Sequence, residues 1–355
     1  MVVDFYYDLG NNTFLPILFL VLALNSLYKV LTAGKSIKRL VAYAIAFVLV
    51  SYSPKYVVHD PHSSAVLVTG ASTGIGHKVA VELSKLGYTV FATVRKEADF
   101  GNFPKSDKII PIIMDTTKLE TIKAAKSKIE ESKIPLVGLI NNAGIAYDAK
   151  LTDLTPEDEC KWVMEVNLWG TRKVTNEFLP MLRKTKGRIL IASSILGSAS
   201  IPMADCYPQT KWALNNYGHL LRQQETALGT GVSVSILKIG AIRTSMQEKA
   251  AKKLSDITEC ERELEILEGN RLKQFWKSYC PTRIETLNYF KETASSIDVV
   301  VGPHVHALIS PKPLTEYSFG IDSVVMMSFR NILPDRIFDK LLFLATDMVK
   351  HAPVF

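Results

Sequence analysis

The chain has 355 residues, 47% of them hydrophobic, and a formal net charge of +7. That is enough to bury one large α/β core with extra segments at its ends. The basic balance fits an anionic cofactor or an anionic membrane surface. No dense Lys/Arg stripe with interleaved aromatics is present, which argues against nucleic acid as a partner. Cys160, Cys206, Cys260 and Cys280 lie far apart and form no Cys-x-x-Cys pair. This spacing speaks against a structural zinc site or a disulfide framework and leaves buried free thiols. His304 and His306 read as core or edge histidines near a strand rather than metal ligands.

Residues 1–60 read as a membrane anchor and linker. Phe14 to Leu31 is mostly apolar, and Leu40 to Val50 is a second apolar run. Lys35, Lys38 and Arg39 lie between them. Asp4 and Asp8 replace the positive start of a secretory signal. One arrangement is a helical hairpin with the basic loop cytosolic, which puts the rest of the chain on the far side. A second is one span plus an interfacial helix. A third is two apolar helices packed on a soluble domain. Pro54 and Pro61 mark the linker.

Residues 61–355 read as one catalytic domain. Val66, Leu67 and Val68 are a short β-prone run, followed by Gly70, Gly74 and Gly76. An apolar helical pattern then runs from His77 to Leu86. Strand, tight turn and helix in this order suit a pyrophosphate. Gly70 permits the turn, Gly74 lets main chain approach the phosphates, and Gly76 brings helix and sheet together. Backbone at Ser72, Thr73 and Ile75 falls at the helix N-terminus, where free N–H groups and the dipole favour anions. Tyr88 to Val94 is the second strand. Arg95 and Lys96 follow it, where an NAD-specific site would carry an acidic residue. No carboxylate repels a 2′-phosphate there, and a guanidinium can bind one in a fork, so NADP is favoured over NAD.

Ile109 to Met114 is the third strand and ends in Asp115, a candidate partner for the adenine amino group. Leu119 to Glu131 is a helix. Leu136 to Ile140 is the fourth strand and runs into Asn141-Asn142-Ala143-Gly144. Strands and helices alternate at short intervals, which predicts a doubly wound parallel sheet, a Rossmann fold. The glycine turn, Asp115 and residues 141–144 then share the carboxyl edge, where such sheets bind ligands.

Asn167 lies in Val-Asn-Leu-Trp-Gly. The strand Arg188 to Ala192 leads to Ser193-Ser194, Tyr207 follows Ser194 by thirteen positions, and Lys211 follows Tyr207 by four. Together with the glycine turn, Asp115 and Asn141 to Gly144, these motifs resemble the short-chain dehydrogenase/reductase family over residues 64–340. The resemblance implies that Asn142, Ala143 and Gly144 stabilise the sheet beside the cofactor. It also implies catalytic roles for Asn167, Ser194, Tyr207 and Lys211, with Lys211 binding the nicotinamide ribose and Asn167 a water.

The chemistry follows from the residue types. Tyr-x-x-x-Lys on a helix puts both side chains on one face. A free phenol has a pKa of about 10, and a nearby ammonium is expected to lower it. Tyr207 then exchanges a proton with the substrate oxygen as general acid/base. Ser194 donates a hydrogen bond to that oxygen where charge develops. Pro208 biases Tyr207 away from α geometry, so the helix should begin near Tyr207 with Asp205 as N-cap.

Val232 to Lys238 is the sixth strand. Ile239-Gly240 stands where the family has Pro-Gly, and Ala241-Ile242-Arg243-Thr244 matches the usual continuation. The resemblance implies that Ile242 backbone and the Thr244 hydroxyl meet the carboxamide. Residues 245–293 are charged and helical in pattern, and read either as a lid over the substrate or as a solvated insert. Residues 307 to 344 are similar to the C-terminal part of membrane-associated retinol and hydroxysteroid dehydrogenases, the branch that also holds 3-hydroxybutyrate dehydrogenase. Phe319 to Phe329 is apolar enough for a last strand, and Ile337 to Leu344 for an amphipathic helix.

The sequence therefore describes a membrane-anchored, NAD(P)-dependent oxidoreductase acting on a hydrophobic alcohol or its carbonyl, such as a retinoid, steroid or other lipid. The expected location is the endoplasmic reticulum or another internal membrane. A dehydrogenase of a small hydroxy acid such as 3-hydroxybutyrate is the alternative enzyme, and a non-catalytic cofactor-binding scaffold the alternative class. The family also implies homodimers through the helix that bears Tyr207.

Overall fold

Short apolar runs, most of them followed by an amphipathic helix, produce a seven-stranded sheet. The computed structural model describes residues 14–33, 38–51, 54–146, 151–201, 204–245, 257–282, 292–330 and 332–345. Strands β1 (Ala65–Val68), β2 (Thr89–Val94), β3 (Ile109–Ile113), β4 (Leu136–Asn141), β5 (Arg188–Ala192), β6 (Ser233–Ile239) and β7 (Glu316–Phe319) lie in the order β3-β2-β1-β4-β5-β6-β7. All neighbours are parallel. β1, β2, β4, β5 and β6 are buried at every residue, which is why they read as unbroken apolar runs rather than alternating ones. The strand order reverses between β1 and β4, and that is where a crevice for a dinucleotide opens.

Helices cover both faces. On one face, α3 (Gly74–Lys85) packs Val79, Ala80 and Leu83 against the sheet together with Ala307 and Leu308 of α10 (Val301–Ile309). On the other, α4 (Leu119–Glu131), α6 (Thr171–Thr185) and α7 (Cys206–Ala227) contribute Ile122, Ile129, Phe178, Leu182, Leu214 and Leu221. Between β4 and α6 run α5 (Glu157–Met164) and a π-helical turn, Glu165–Gly170.

Beyond β6 the chain builds a cover. Helices α8 (Ile257–Ile266) and α9 (Asn270–Tyr279) share an apolar cluster of Leu154, Leu267, Trp276, Tyr279 and Cys280, with Phe343 packed against it. Phe343 belongs to α12 (Asp335–Ala345), which follows α11 (Ile321–Arg330). Residues 246–256 and 283–291 of the expected lid lie outside the described residues.

Three expectations change. The cysteines are not free thiols: Cys160 pairs with Cys206 and Cys260 with Cys280, with Cα–Cα distances of 5.4 and 5.9 Å. Their separations of 46 and 20 residues hid partners that only the fold brings together. Phe319 to Phe329 is not a strand. β7 ends at Phe319, Gly320 turns at φ +92°, and a helix starts at Ile321. His304 and His306, on helix α10, are buried core histidines as expected, their rings against Phe319 and Tyr317 of β7. The third change concerns Tyr207 and appears with the site.

The first two helices are α1 (Phe14–Ala33) and α2 (Lys38–Ser51), and they pack on each other. Leu20, Val21, Leu24, Tyr28, Val41 and Ile45 remain exposed. Among the described residues, no helix is long and apolar enough to cross a membrane. The linker behind them is clasped by buried Arg188, which donates to the carbonyls of Val57 at 2.8 Å and Ser310 at 2.9 Å.

Candidate active site

The glycine turn is held from below by side chain and main chain of β4's exit. Thr69 Oγ1 accepts hydrogen bonds from the backbone N–H of Asn142 at 3.0 Å and Ala143 at 2.9 Å. The Asn142 amide donates back to the carbonyls of Thr69 at 3.0 Å and Gly70 at 3.1 Å. Gly70 stands at φ +63°, and a Cβ there would lie 2.8 Å from Ala143 Cα. A Cβ at Gly76 would meet Gly70 O at 2.6 Å. Thr73 occupies the N-cap of α3, yet its side chain caps nothing. The first-turn N–H groups are thus left for an anion. Thr244 closes the crevice from the other side, its side-chain carbons 3.6 Å from where a Gly74 Cβ would stand. A cradle without Cβ atoms, facing an uncapped helix end, fits a pyrophosphate.

The adenosine end is set by β2 and β3. Arg95 is exposed directly after β2. Asp115 follows β3, and its Oδ1 accepts from Thr117 N–H at 2.9 Å and Thr117 Oγ1 at 2.7 Å. Burial pushes the Asp115 carboxyl up, but the Thr117 bonds, with Lys118 and Arg95 nearby, outweigh it and hold the group below its ordinary value. It stays an anion that can accept from an amino group.

The four expected catalytic residues converge over the ends of β4, β5 and β6. Ser194 begins the turn after β5, is 7% exposed, and donates to Ile239 O at 3.2 Å. Lys211 Nζ donates to Ala192 O at 2.8 Å and lies 5.3 Å from the centre of the Tyr207 ring. A Cβ on Gly144 would be 3.3 Å from Asn167 Oδ1 and 3.7 Å from Lys211 Nζ, so all three share one corner. Asn167 is fully buried in the π-helical turn. Its amide donates to Ile145 O at 2.9 Å and Thr210 Oγ1 at 3.1 Å, and its Oδ1 accepts from Ile145 N at 2.8 Å. Both amide hydrogens are spent on protein, so the side chain acts as a brace.

Tyr207 behaves differently from the expectation of a lowered phenol. Burial pushes it up to about 12, and its hydrogen bond with Ser194 pulls only partly the other way. Lys211 does not offset this, because its ammonium is turned to the Ala192 carbonyl, and burial lowers it to about 8. The free site therefore holds a neutral phenol beside an ammonium ready to give up its proton. Helix α7 does begin next to Tyr207, with Asp205 at the N-cap position. Asp205 makes no capping bond and sits at φ +28°.

Two contributors have no local sequence signal. Thr210 links Asn167 to the catalytic turn by donating to Tyr207 O at 2.7 Å. Asp322 rigidifies the loop that lacks the family's proline. Its carboxylate accepts from Ala241 N–H at 2.7 Å, across 81 residues of sequence. Ile242 then bridges to Ser295 and is buried, with Thr244 just beyond it.

A doubly wound parallel sheet with this cradle at its switch point defines a dinucleotide-binding oxidoreductase fold. The chain belongs to the short chain dehydrogenase family, whose model matches residues 64–255, and is an NAD(P)-dependent alcohol dehydrogenase. It is 29% identical over 300 residues to 17-beta-hydroxysteroid dehydrogenase type 6 of Rattus norvegicus, covering 82% of this chain and 91% of that one. It is 31% identical over 297 residues to the mitochondrial D-beta-hydroxybutyrate dehydrogenase of Rattus norvegicus, covering 77% and 83%. Among solved structures it is similar to ElxO with NADP bound, at 26% identity and a TM-score of 0.50, covering 54% of this chain and 79% of that one.

Proposed function

We propose that the protein is a membrane-anchored, NADP-preferring dehydrogenase that interconverts a hydrophobic alcohol, of the steroid, retinoid or other lipid class, and its carbonyl. The observation that carries this reading is the convergence of Ser194, Tyr207, Lys211 and Asn167 at the carboxyl edge, beside a cradle shaped for pyrophosphate. When bound, the nicotinamide supplies or accepts hydride. Tyr207 takes the alcohol proton in oxidation and returns it in reduction. Ser194 holds the substrate oxygen. Lys211, its ammonium drawn toward the phenol, brings the Tyr207 pKa down from its buried value. Arg95 is placed for a 2′-phosphate, which favours NADP.

The apolar cluster shared by α8 and α9 supports reading residues 245–293 as a lid for an apolar substrate. The similarity to a hydroxysteroid dehydrogenase points the same way, while that to D-beta-hydroxybutyrate dehydrogenase keeps the small hydroxy acid as the second reading. For anchoring, the exposed apolar side chains of α1 and α2 are the support. With 20 and 14 residues these helices are about 30 and 21 Å long. The second is short for a bilayer core, and Lys38 and Arg39 would snorkel to the headgroups. Two disulfides favour an oxidising compartment for the catalytic domain. Trp162, Trp169, Trp212 and Leu220 are exposed around α5 and α7 and offer a face for a homodimer.

The test is turnover by detergent-solubilised protein with NADP and NAD supplied separately, over a panel of retinol, hydroxysteroids and 3-hydroxybutyrate. Lipid-alcohol turnover that favours NADP supports the reading. Turnover of 3-hydroxybutyrate alone sinks the substrate class, and turnover with NAD alone sinks the role given to Arg95.

A further inference from the structure

The residue directly before Tyr207 is a half-cystine. Cys206 is the first residue of α7 and is buried, and its partner Cys160 lies on α5. Helix α5 runs straight into the π-helical turn that carries Asn167. Cys160 and Asn167 are seven positions apart, about two helical turns, which places both on the side of this segment that faces α7. The disulfide thus joins the two elements that present Asn167 and Tyr207.

The first turn of α7 is poorly held by ordinary means. A helix start is normally secured by a side-chain cap, and Asp205 supplies none. Asp205 sits at φ +28°, a conformation that L side chains rarely adopt. Pro208 disfavours α geometry at Tyr207 and removes one backbone donor. Besides the Ser194 bond and the backbone bond from Tyr207 N–H to Ala204 O at 3.3 Å, two links tie this turn to the Asn167 segment. One is the hydrogen-bond chain from Asn167 through Thr210 to Tyr207 O, at 3.1 and 2.7 Å. The other is the covalent bond from Cys160 to Cys206.

We propose that the Cys160–Cys206 disulfide is a positioning element of the active site, holding the uncapped turn that presents Tyr207 in register with Ser194 and Asn167. The proposal rests on Tyr207 and Asn167 serving catalysis as described above. It also makes turnover sensitive to thiols. A dithiol passes two electrons and two protons to the disulfide, leaving two cysteine thiols and its own cyclic disulfide. The phenol then loses its covalent registration, and proton transfer slows because productive geometry is populated less often. Cofactor affinity, set by the glycine cradle, stays near its original value.

The experiment compares three proteins as full-length chains in detergent: wild type, Cys160→Ser/Cys206→Ser, and Cys260→Ser/Cys280→Ser. Each is assayed at saturating cofactor and substrate, with and without dithiothreitol. NADP affinity, folded fraction and the kcat pH profile are read alongside. The expected result is a fall in kcat of at least tenfold in Cys160→Ser/Cys206→Ser, with NADP affinity within twofold of wild type. Dithiothreitol should depress kcat in wild type and in Cys260→Ser/Cys280→Ser, and reoxidation should restore it. It should leave Cys160→Ser/Cys206→Ser unmoved. If the serine variant does not fold, reduction of the folded wild type decides alone. Wild-type kcat in the serine variant, or in the reduced protein where that variant does not fold, overturns the proposal, as does a fall that only tracks the unfolded fraction. Tyr207→Phe is run beside them. Full activity there means that the catalytic assignment fails; an inactive Tyr207→Phe with a fully active Cys160→Ser/Cys206→Ser means that only the tether fails.

Discussion

The cofactor crevice and the cover formed by α8 and α9 are built on opposite principles. In the crevice, polar side chains lock directly onto main chain. Thr69, Gly70, Asn142 and Ala143 interlock through four hydrogen bonds of 2.9 to 3.1 Å, and Gly70 has no room for another atom. In the cover, Leu154, Leu267, Trp276 and Tyr279 meet through side chains alone, and a disulfide joins the end of α9 to α8. Apolar packing accepts many residues of similar volume. The first region therefore specifies a chemistry and the second only a shape. That is why a cofactor can be read from this chain and a particular substrate cannot.

The largest expected effect falls on the chemistry. Tyr207→Phe removes the only proton the phenol can exchange and should lower kcat by about 10²–10⁴-fold. Binding of NADP, which uses the crevice, should hold within about twofold, since the substitution leaves the Thr69–Asn142 bonds intact. Stopped-flow turnover with equilibrium cofactor titration measures both. A parallel loss of NADP affinity would break the separation between crevice chemistry and catalytic turn.

One small change in each region sharpens the contrast. Gly70→Ala puts a Cβ 2.8 Å from Ala143 Cα at φ +63°. It should cost about 1–3 kcal/mol of stability and weaken NADP at least about tenfold. Phe275→Leu in the cover should cost less than about 1.5 kcal/mol and leave NADP affinity alone, moving only substrate KM. Thermal melts and cofactor titrations of the pair settle it. Equal effects on NADP would mean that the cover is part of the cofactor site.

What could be read from the sequence follows the same division. Parallel buried strands, the glycine turn and Asn141 to Gly144 carry their own local reasons, so the parallel sheet and the crevice were legible. Ser194, Tyr207 and Lys211 were legible because a fixed strand–helix spacing delivers them to one edge. The misses are contacts between distant segments. Cys160 and Cys206 are 46 residues apart, and Asp322 reaches Ala241 across 81. Phe319 to Phe329 misled because its apolar density suits strand or helix equally, and the break at Gly320 depends on φ, not on hydrophobicity. The Tyr207 phenol was misjudged because the sequence places Lys211 on the right face but cannot show which acceptor it chooses.

A smaller effect tests the adenosine end of the crevice. Arg95→Ala removes the exposed guanidinium after β2 and leaves the backbone cradle untouched. Affinity for NADP should fall about tenfold, on the scale of one charge-assisted bond, while affinity for NAD stays the same. Calorimetric titration of both nucleotides gives the ratio. An equal loss for both would show Arg95 to be structural rather than a reader of the 2′-phosphate.

The smallest effect is a pH dependence, and its sign separates Lys211 from everything else in the crevice. Burial lowers the Lys211 ammonium to about 8 in the free protein. The charge that assists Tyr207 is therefore half lost near that pH, and kcat/KM for the cofactor, which reports the free enzyme, should fall about tenfold by one pH unit above it. Stability should move the other way. Between about 8 and the ordinary lysine value of 10.5 the unfolded chain binds a proton that the folded chain does not, so unfolding free energy rises with pH. Tyr207 reverses this only above its ordinary 10.0, since burial keeps the phenol protonated up to about 12 and unfolding then releases its proton. Denaturant melts and cofactor kinetics over pH 7 to 10 should thus diverge in wild type, and both trends should flatten in Lys211→Met. If activity and stability fell together in wild type, a global alkaline unfolding would explain the profile, and Lys211 would lose its part in it.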